Sequence, residues 1–133
     1  MAKINVKIYM PSEKKMDEMV DSVILPGIEG DFEVMIDHTP LITKLRPGTL
    51  RVYKNEHAEY YALHDGFVTI ENNNVLIVSE GCENKKEINI ERAEAAKQRA
   101  EKRIADTTNS TIDFRRAEIA LKKAIARIDT MKT

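Results

Sequence analysis

The chain reads as an α+β protein: an N-terminal antiparallel β-sandwich followed by a C-terminal antiparallel two-helix hairpin. Three observations predict this. The hydrophobic period changes once, near residue 88, from short alternating runs to Ala-rich stretches with helical spacing. The alternating runs are punctuated by Gly, Pro and Asn, and the later stretches repeat apolar residues three and four apart. A chain of 133 residues can bury one modest core plus an appendage, which divides it into a sandwich over 1–87 and a hairpin over 88–133.

In the first part Ile4, Val6, Ile8 and Met10 alternate with polar residues, as a strand buried on one face requires, and Pro11-Ser12 ends the run. Similar runs follow at Val20–Leu25, Phe32–Ile36, Leu50–Tyr53, Glu59–Leu63, Phe67–Ile70 and Val75–Val78. Between them stand turn signals such as Pro26-Gly27, Glu29-Gly30, Pro47-Gly48, Asn55-Glu56, Asp65-Gly66 and Asn72-Asn73-Asn74. Proline presets φ for a turn, and glycine or asparagine accepts the positive φ of hairpin corners. Many short strands closed in this way indicate an antiparallel sandwich or barrel, and no helix of ten residues fits before residue 88.

Residues Ile36 to Leu41 interrupt the pattern: Pro40 pushes Thr39 to an extended conformation, and the polar residues belong at the surface. A loop is expected there. Asp37 beside His38 raises the alternative of a hydrolase, but no Ser or Cys nucleophile motif accompanies the pair, and a docking loop is the better reading.

In the second part Asn89 is a good N-cap, and helix formers run from Ile90 to Ile104 with Ala93, Ala96, Ala100 and Ile104 on one face. Such a stripe of small residues lets a second helix approach closely. Ala105–Ser110 reads as a loop, after which Ser110, Thr111 or Asp113 can cap a helix carrying Phe114, Ala117, Leu121, Ala124, Ile128 and Met131 as a seam. A narrow alanine seam buries little, so the hairpin is expected to open or relocate at low cost.

Charge is unevenly shared. Residues 1–87 carry 10 Lys+Arg against 15 Asp+Glu and residues 88–133 carry 11 against 7, which sets a basic hairpin on an acidic base. Solvated helix faces are the plain alternative, supported by pairs such as Glu118 with Lys122. Aromatic interleaving and nucleic-acid recognition motifs are missing, so no nucleic-acid partner is expected. Cys82 stands alone and no Cys/His cluster has metal-ligand spacing, which predicts no metal site and a reducing compartment. Neither a cleavable leader nor a membrane-crossing run is evident, so membrane association is expected only through a complex.

Taken in order, the motifs resemble the epsilon subunit family of the F-type ATP synthase. They are Pro26-Gly27 with Glu29-Gly30-Asp31-Phe32, His38-Thr39-Pro40-Leu41, Leu45-Arg46-Pro47-Gly48, Gly66-Phe67-Val68 and Asn74-Val75. Ile88-Asn89-Ile90-Glu91-Arg92-Ala93 then opens the first helix, and Phe114-Arg115-Arg116-Ala117-Glu118 lies in the second. The resemblance implies a non-catalytic central-stalk subunit whose sandwich binds the gamma subunit and sits on the ring of c subunits. Asp31, His38, Thr39, Pro40 and Leu41 would face that ring. It implies a hairpin that can fold against the sandwich or extend toward the catalytic alpha/beta head. Thin alanine packing and the basic cluster Arg115, Arg116, Lys122, Lys123 and Arg127 then predict that an opened hairpin meets an acidic surface on that head and inhibits ATP hydrolysis. The resemblance also implies a place at the cytoplasmic face of the bacterial inner membrane. The free-standing alternative is a sandwich adaptor that joins a partner coiled coil through its hairpin. No G-x-x-x-x-G-K-[ST] occurs, in keeping with a chain that is not the ATPase itself.

Some bacterial members bind regulatory ATP through Ile/Leu-Asp-x-x-Arg-Ala, and the same resemblance marks Glu83, Ile88, Asn89, Arg92, Ala93, Arg99, Lys123 and Arg127 as the corresponding positions. No cofactor is required. Asn89 replaces the motif's aspartate, keeping the helix cap and losing the charge, and Lys123 replaces an arginine fork with a point charge. Weak ATP affinity is expected.

Overall fold

The computed structural model describes residues 3–106 and 111–133, the side chains of Thr111 and Ile112 excepted. Ten strands run β1 (Ile4–Tyr9), β2 (Lys14–Val20), β3 (Ser22–Gly27), β4 (Gly30–Val34), β5 (Leu41–Leu45), β6 (Gly48–Lys54), β7 (His57–Leu63), β8 (Gly66–Glu71), β9 (Asn74–Ser79) and β10 (Cys82–Asn84). A 3-10 turn at Lys85–Glu87 leads into α1 (Ile90–Ala105) and then α2 (Thr111–Met131). The strands form one continuous ladder in the order β10-β7-β6-β3-β5-β8-β9-β1-β2, with β4 on β3. It folds over as a sandwich around a single apolar cluster that includes Ile4, Ile8, Leu25, Leu45, Leu50, Leu63, Ile70 and Ile77.

Period-2 alternation explains why β1 and β9 form: Ile4, Val6 and Ile8 are fully buried, while Val75 and Ile77 point inward between exposed neighbours. The corners at Asn55-Glu56 and Asn72-Asn73 have positive φ at both residues, the geometry of a tight hairpin turn. Gly66 is needed for closeness, because a Cβ there would run into the Val78 carbonyl of the neighbouring strand.

Three strands escape the sequence pattern, and one predicted strand is two. The run Val20–Leu25 is divided at Asp21, whose carboxylate accepts from the Asn55 N–H at 2.8 Å, so Val20 ends β2 and Ser22 opens β3. The edge strand β2 buries only Met16 and Val20, and its Lys, Asp and Glu residues mask the alternation. The expected loop over Ile36–Leu41 gives way at Leu41, the first residue of β5. The three-residue β10 is too short to show a period. One pair also departs from the antiparallel expectation: β1 runs parallel to β9, because the first strand is brought beside a late one by the intervening domain.

The first helix starts as expected. Asn89 caps α1 through its side chain, which accepts from Arg92 N–H at 3.1 Å. At the start of α2 the expected cap Ser110 lies outside the described residues, as does the expected loop over 107–110. Ala93 and Ala100 of α1 and Ala117, Ala124 and Ile128 of α2 are buried along the seam, and Phe114 at its far end is exposed. The opposite face of α2, with Ala126 and Thr130, is buried as well and meets β6 and β7. Thus α2 lies between the sheet and α1. Thr130 donates its hydroxyl to the Ala126 carbonyl, which leaves Thr49 of β6 as the donor of the 2.9 Å bond between the two threonines. Lys85 holds the end of α2 by donating to the Thr133 carbonyl at 2.8 Å.

Candidate functional site

Where β10, the 3-10 turn and both helices meet, a cavity of about 480 Å³ is lined by Glu83, Glu87, Asn89, Arg92, Ala93, Ala96, Arg99 and Arg127. Six residues marked from the sequence, Glu83, Asn89, Arg92, Ala93, Arg99 and Arg127, therefore line one cavity. Ile88 is buried at the helix start, and Lys123 lies one helical turn before Arg127 but is not among the lining residues. Arg92, Arg99 and Arg127 bring three guanidinium groups to a lining that also holds the first turn of α1 and the carboxylates of Glu83 and Glu87, and both the forks and the helix start favour an anion there.

Glu83 organises the floor. Its Oε1 accepts from Arg127 Nε at 2.7 Å and from the buried His64 Nε2 at 3.2 Å. The His64 bond first and the Arg127 pair second hold the Glu83 carboxyl down at about 2. Glu87, which no sequence motif marked, accepts from Lys15 of β2 at 2.8 Å and from the Asn84 N–H, tying the linker to the far edge of the sheet.

Elsewhere on the sandwich, Asp31 of β4 pairs with Arg46 at 2.7 Å, and Arg46 also donates to the Gly27 carbonyl. His38 Nδ1 donates to the Thr39 carbonyl at 2.6 Å, and its backbone N–H closes a turn on Met35. Among the described residues His38 has no carboxylate partner, and its Nδ1 is taken by the Thr39 carbonyl. Asp31, Thr39, Pro40 and Leu41 are exposed.

The third feature was not marked from the sequence. On the outer face of the sheet, Lys44, Phe67, Val78 and Tyr9 stand opposite one another across β5, β8, β9 and β1, beside a second row of Ile42, Thr69, Leu76 and Lys7. Ile42 is 74% exposed and Phe67 57%, which makes this a contiguous apolar surface and not a scatter of single side chains. A hollow of about 470 Å³ adjoins it, with Met10, Pro11, Phe67 and Val78 on its apolar side and Lys44, Asp65 and Glu80 on its charged side. The signal was present in the sequence: Val75-Leu76-Ile77-Val78 is apolar on both faces, the mark of a strand covered on both sides. On α2, Arg115, Arg116 and Lys122 are exposed and Lys123 and Arg127 half-buried, with Lys122 reaching Glu118 at 3.7 Å. Among the described residues no group of three or more His, Cys, Asp or Glu could hold a metal, and no helix is long and apolar enough to cross a membrane.

A sandwich with one apolar outer face, bearing a cationic hairpin docked through polar contacts, defines a protein built for assembly. Residues 3–85 match the family description "ATP synthase, Delta/Epsilon chain, beta-sandwich domain", and residues 86–132 match "ATP synthase, Delta/Epsilon chain, long alpha-helix domain". The chain belongs to the ATP synthase delta/epsilon chain family, and as such it is a non-catalytic subunit. The ATP synthase epsilon chain of Desulforamulus reducens is 40% identical over 121 residues, 91% of either chain. That of Syntrophobacter fumaroxidans is 38% identical over 126 residues, 95% of this chain and 93% of the relative. A chain in the cryo-EM structure of the Euglena gracilis mitochondrial ATP synthase, OSCP/F1/c-ring, superposes with a TM-score of 0.85 at 22% identity. The match spans 95% of this chain and 79% of that one, a likeness of fold.

Proposed function

We propose that this subunit works in the rotor of a bacterial ATP synthase, at the cytoplasmic face of the cell membrane, coupling the catalytic head to the ion-translocating ring. The observation that carries the reading is the exposed apolar face of β5, β8, β9 and β1, which is the docking surface for the gamma subunit. The Asp31 and His38–Leu41 end rests on the c-ring. The docked hairpin is one of two states, and the other extends toward the alpha/beta head, where Arg115, Arg116, Lys122, Lys123 and Arg127 restrain hydrolysis. The guanidinium-lined cavity takes regulatory ATP, weakly because Asn89 supplies no charge, and bound nucleotide favours the docked state by its differential affinity for it.

Co-purification with the gamma subunit tests the reading. Phe67→Asp and Ile42→Asp together place two charges on the docking face and should abolish gamma binding while the circular dichroism of the isolated chain is unchanged. Retained gamma binding by a folded double variant would rule out this surface.

A further inference from the structure

We propose that His64 is the positioning residue of the latch that docks the hairpin: it fixes the Glu83 carboxylate at the one place where Arg127 of α2 can seize it. The inference deepens the two-state reading of the hairpin and rests on it only in requiring that the docked state be populated in solution.

The three side chains form a chain from the interior to the surface. His64 is almost fully buried, with 4% of its side chain exposed, whereas Glu83 and Arg127 are each about one-third exposed. Both donors converge on the same oxygen, Glu83 Oε1. An ionised carboxylate can only accept, so the hydrogen on the His64–Glu83 contact belongs to Nε2. The other ring nitrogen, Nδ1, is buried without a hydrogen-bond partner among the described residues. A buried polar atom left in that condition has a cost, and it is accepted here because the ring is turned to serve Glu83.

The backbone that carries the ring is fixed on both sides. The His64 backbone N–H donates to the Gly81 carbonyl at 3.0 Å, and the Ser79 hydroxyl donates to the His64 backbone carbonyl at 3.0 Å. Gly81 lies so close that a Cβ there would stand 2.7 Å from His64 Cδ2. Ala62, two residues before His64, pairs with Glu83 in the β7–β10 ladder, so the strand register carries donor and acceptor into place together. Arg127 comes from the other module. Glu83 is therefore prepared by the sandwich before the hairpin arrives, and pre-organisation of this kind lowers the ordering cost of docking.

Amide hydrogen exchange on the full chain distinguishes positioning from packing. His64→Gln places an amide N–H near the Nε2 position and should leave α2 as protected as in the unmodified chain. His64→Asn, which reaches only the Nδ1 position, and His64→Phe, which fills the space without a donor, should each speed exchange in α2 about tenfold, as for the loss of a hydrogen bond to a charged group. Exchange in β1 and β9 should not change. Arg127→Gln should add little to His64→Phe, because the two substitutions remove the same contact. Equal effects of Gln and Phe, or a full additional effect of Arg127→Gln, would overturn the assignment. If Phe disrupts the sandwich, the contrast between Gln and Asn decides the matter in the same way. Free exchange of α2 in the unmodified chain would overturn the docked state and the latch with it, and it is recognisable because it precedes any substitution.

Discussion

Asn89 has two tasks that one atom cannot combine fully. Its side-chain oxygen already accepts from Arg92 N–H as the cap of α1, and it also lines the cavity where the family motif places a carboxylate. Aspartate at that position would cap equally well and would add a charge-assisted acceptor beside the helix N-terminus. Calorimetric titration should find Asn89→Asp binding ATP about tenfold more tightly than the parent, the difference between a neutral and a charged hydrogen bond. An unchanged affinity would move the cause of weak binding to another lining residue. Cys82 is a quiet neighbour: it is buried, and burial pushes its thiol up to about 12, so it does not compete with cysteines introduced for labelling.

At the scale of elements, α2 is held by few contacts of modest strength. A buried alanine methyl contributes about 0.8 kcal/mol, against about 1.5–3 kcal/mol for a leucine or isoleucine, and the docking face offers Ala126 and Thr130. Polar links therefore decide the state: Thr49–Thr130, Lys85 with the Thr133 carbonyl, and Glu83–Arg127. Glu83 titrates well below an ordinary carboxyl, so its contribution is complete above about 4.5 and is lost as pH falls through about 2. Only the part due to Arg127 belongs to docking, since His64 stays with Glu83 when the hairpin leaves. Acid titration followed by exchange in α2 should show undocking in the lower part of that window, because His64 still holds the undocked carboxyl below 4.5, and Glu83→Gln should remove the step by leaving the hairpin loosened at every pH. In the assembled synthase, deletion of residues 88–133 should raise ATP hydrolysis severalfold without loss of assembly. A disulfide between α2 and β6 should do the same by holding the hairpin down. A hydrolysis rate indifferent to both changes would make the hairpin a structural appendage.

For the molecule as a whole, the division of labour follows from where the core lies. The principal apolar cluster is confined to the strands and ends at Cys82, while the hairpin is joined to it through a short seam. A fragment of residues 1–87 should accordingly stay soluble, show a cooperative denaturant transition and retain gamma binding. Loss of folding in that fragment would mean that α2 completes the core.

Much of this was legible in the residues themselves. The change of period near residue 88, the Asn-rich corners, the Asn89 cap and the alanine seam depend on neighbours in sequence, and local backbone preference with side-chain spacing sets them. The motif positions Asn89, Arg92 and Ala93 likewise lie together on the cavity, because a helix start keeps its own residues together. The strands β2, β5 and β10 were not legible: each exists by pairing with a partner far away in the chain, and their own alternation is short or masked by charge. The same holds for the parallel β1–β9 pair, the outer apolar face and the second buried face of α2. His64, Glu83 and Arg127 lie in three separate stretches of the sequence, and no local rule joins a buried histidine to an arginine on another module. Local physics determined most of the elements, the Asn89 cap and the alanine seam; only the tertiary structure decided the remaining strands, what faces outward and what latches, because register and docking depend on contacts between distant parts of the chain.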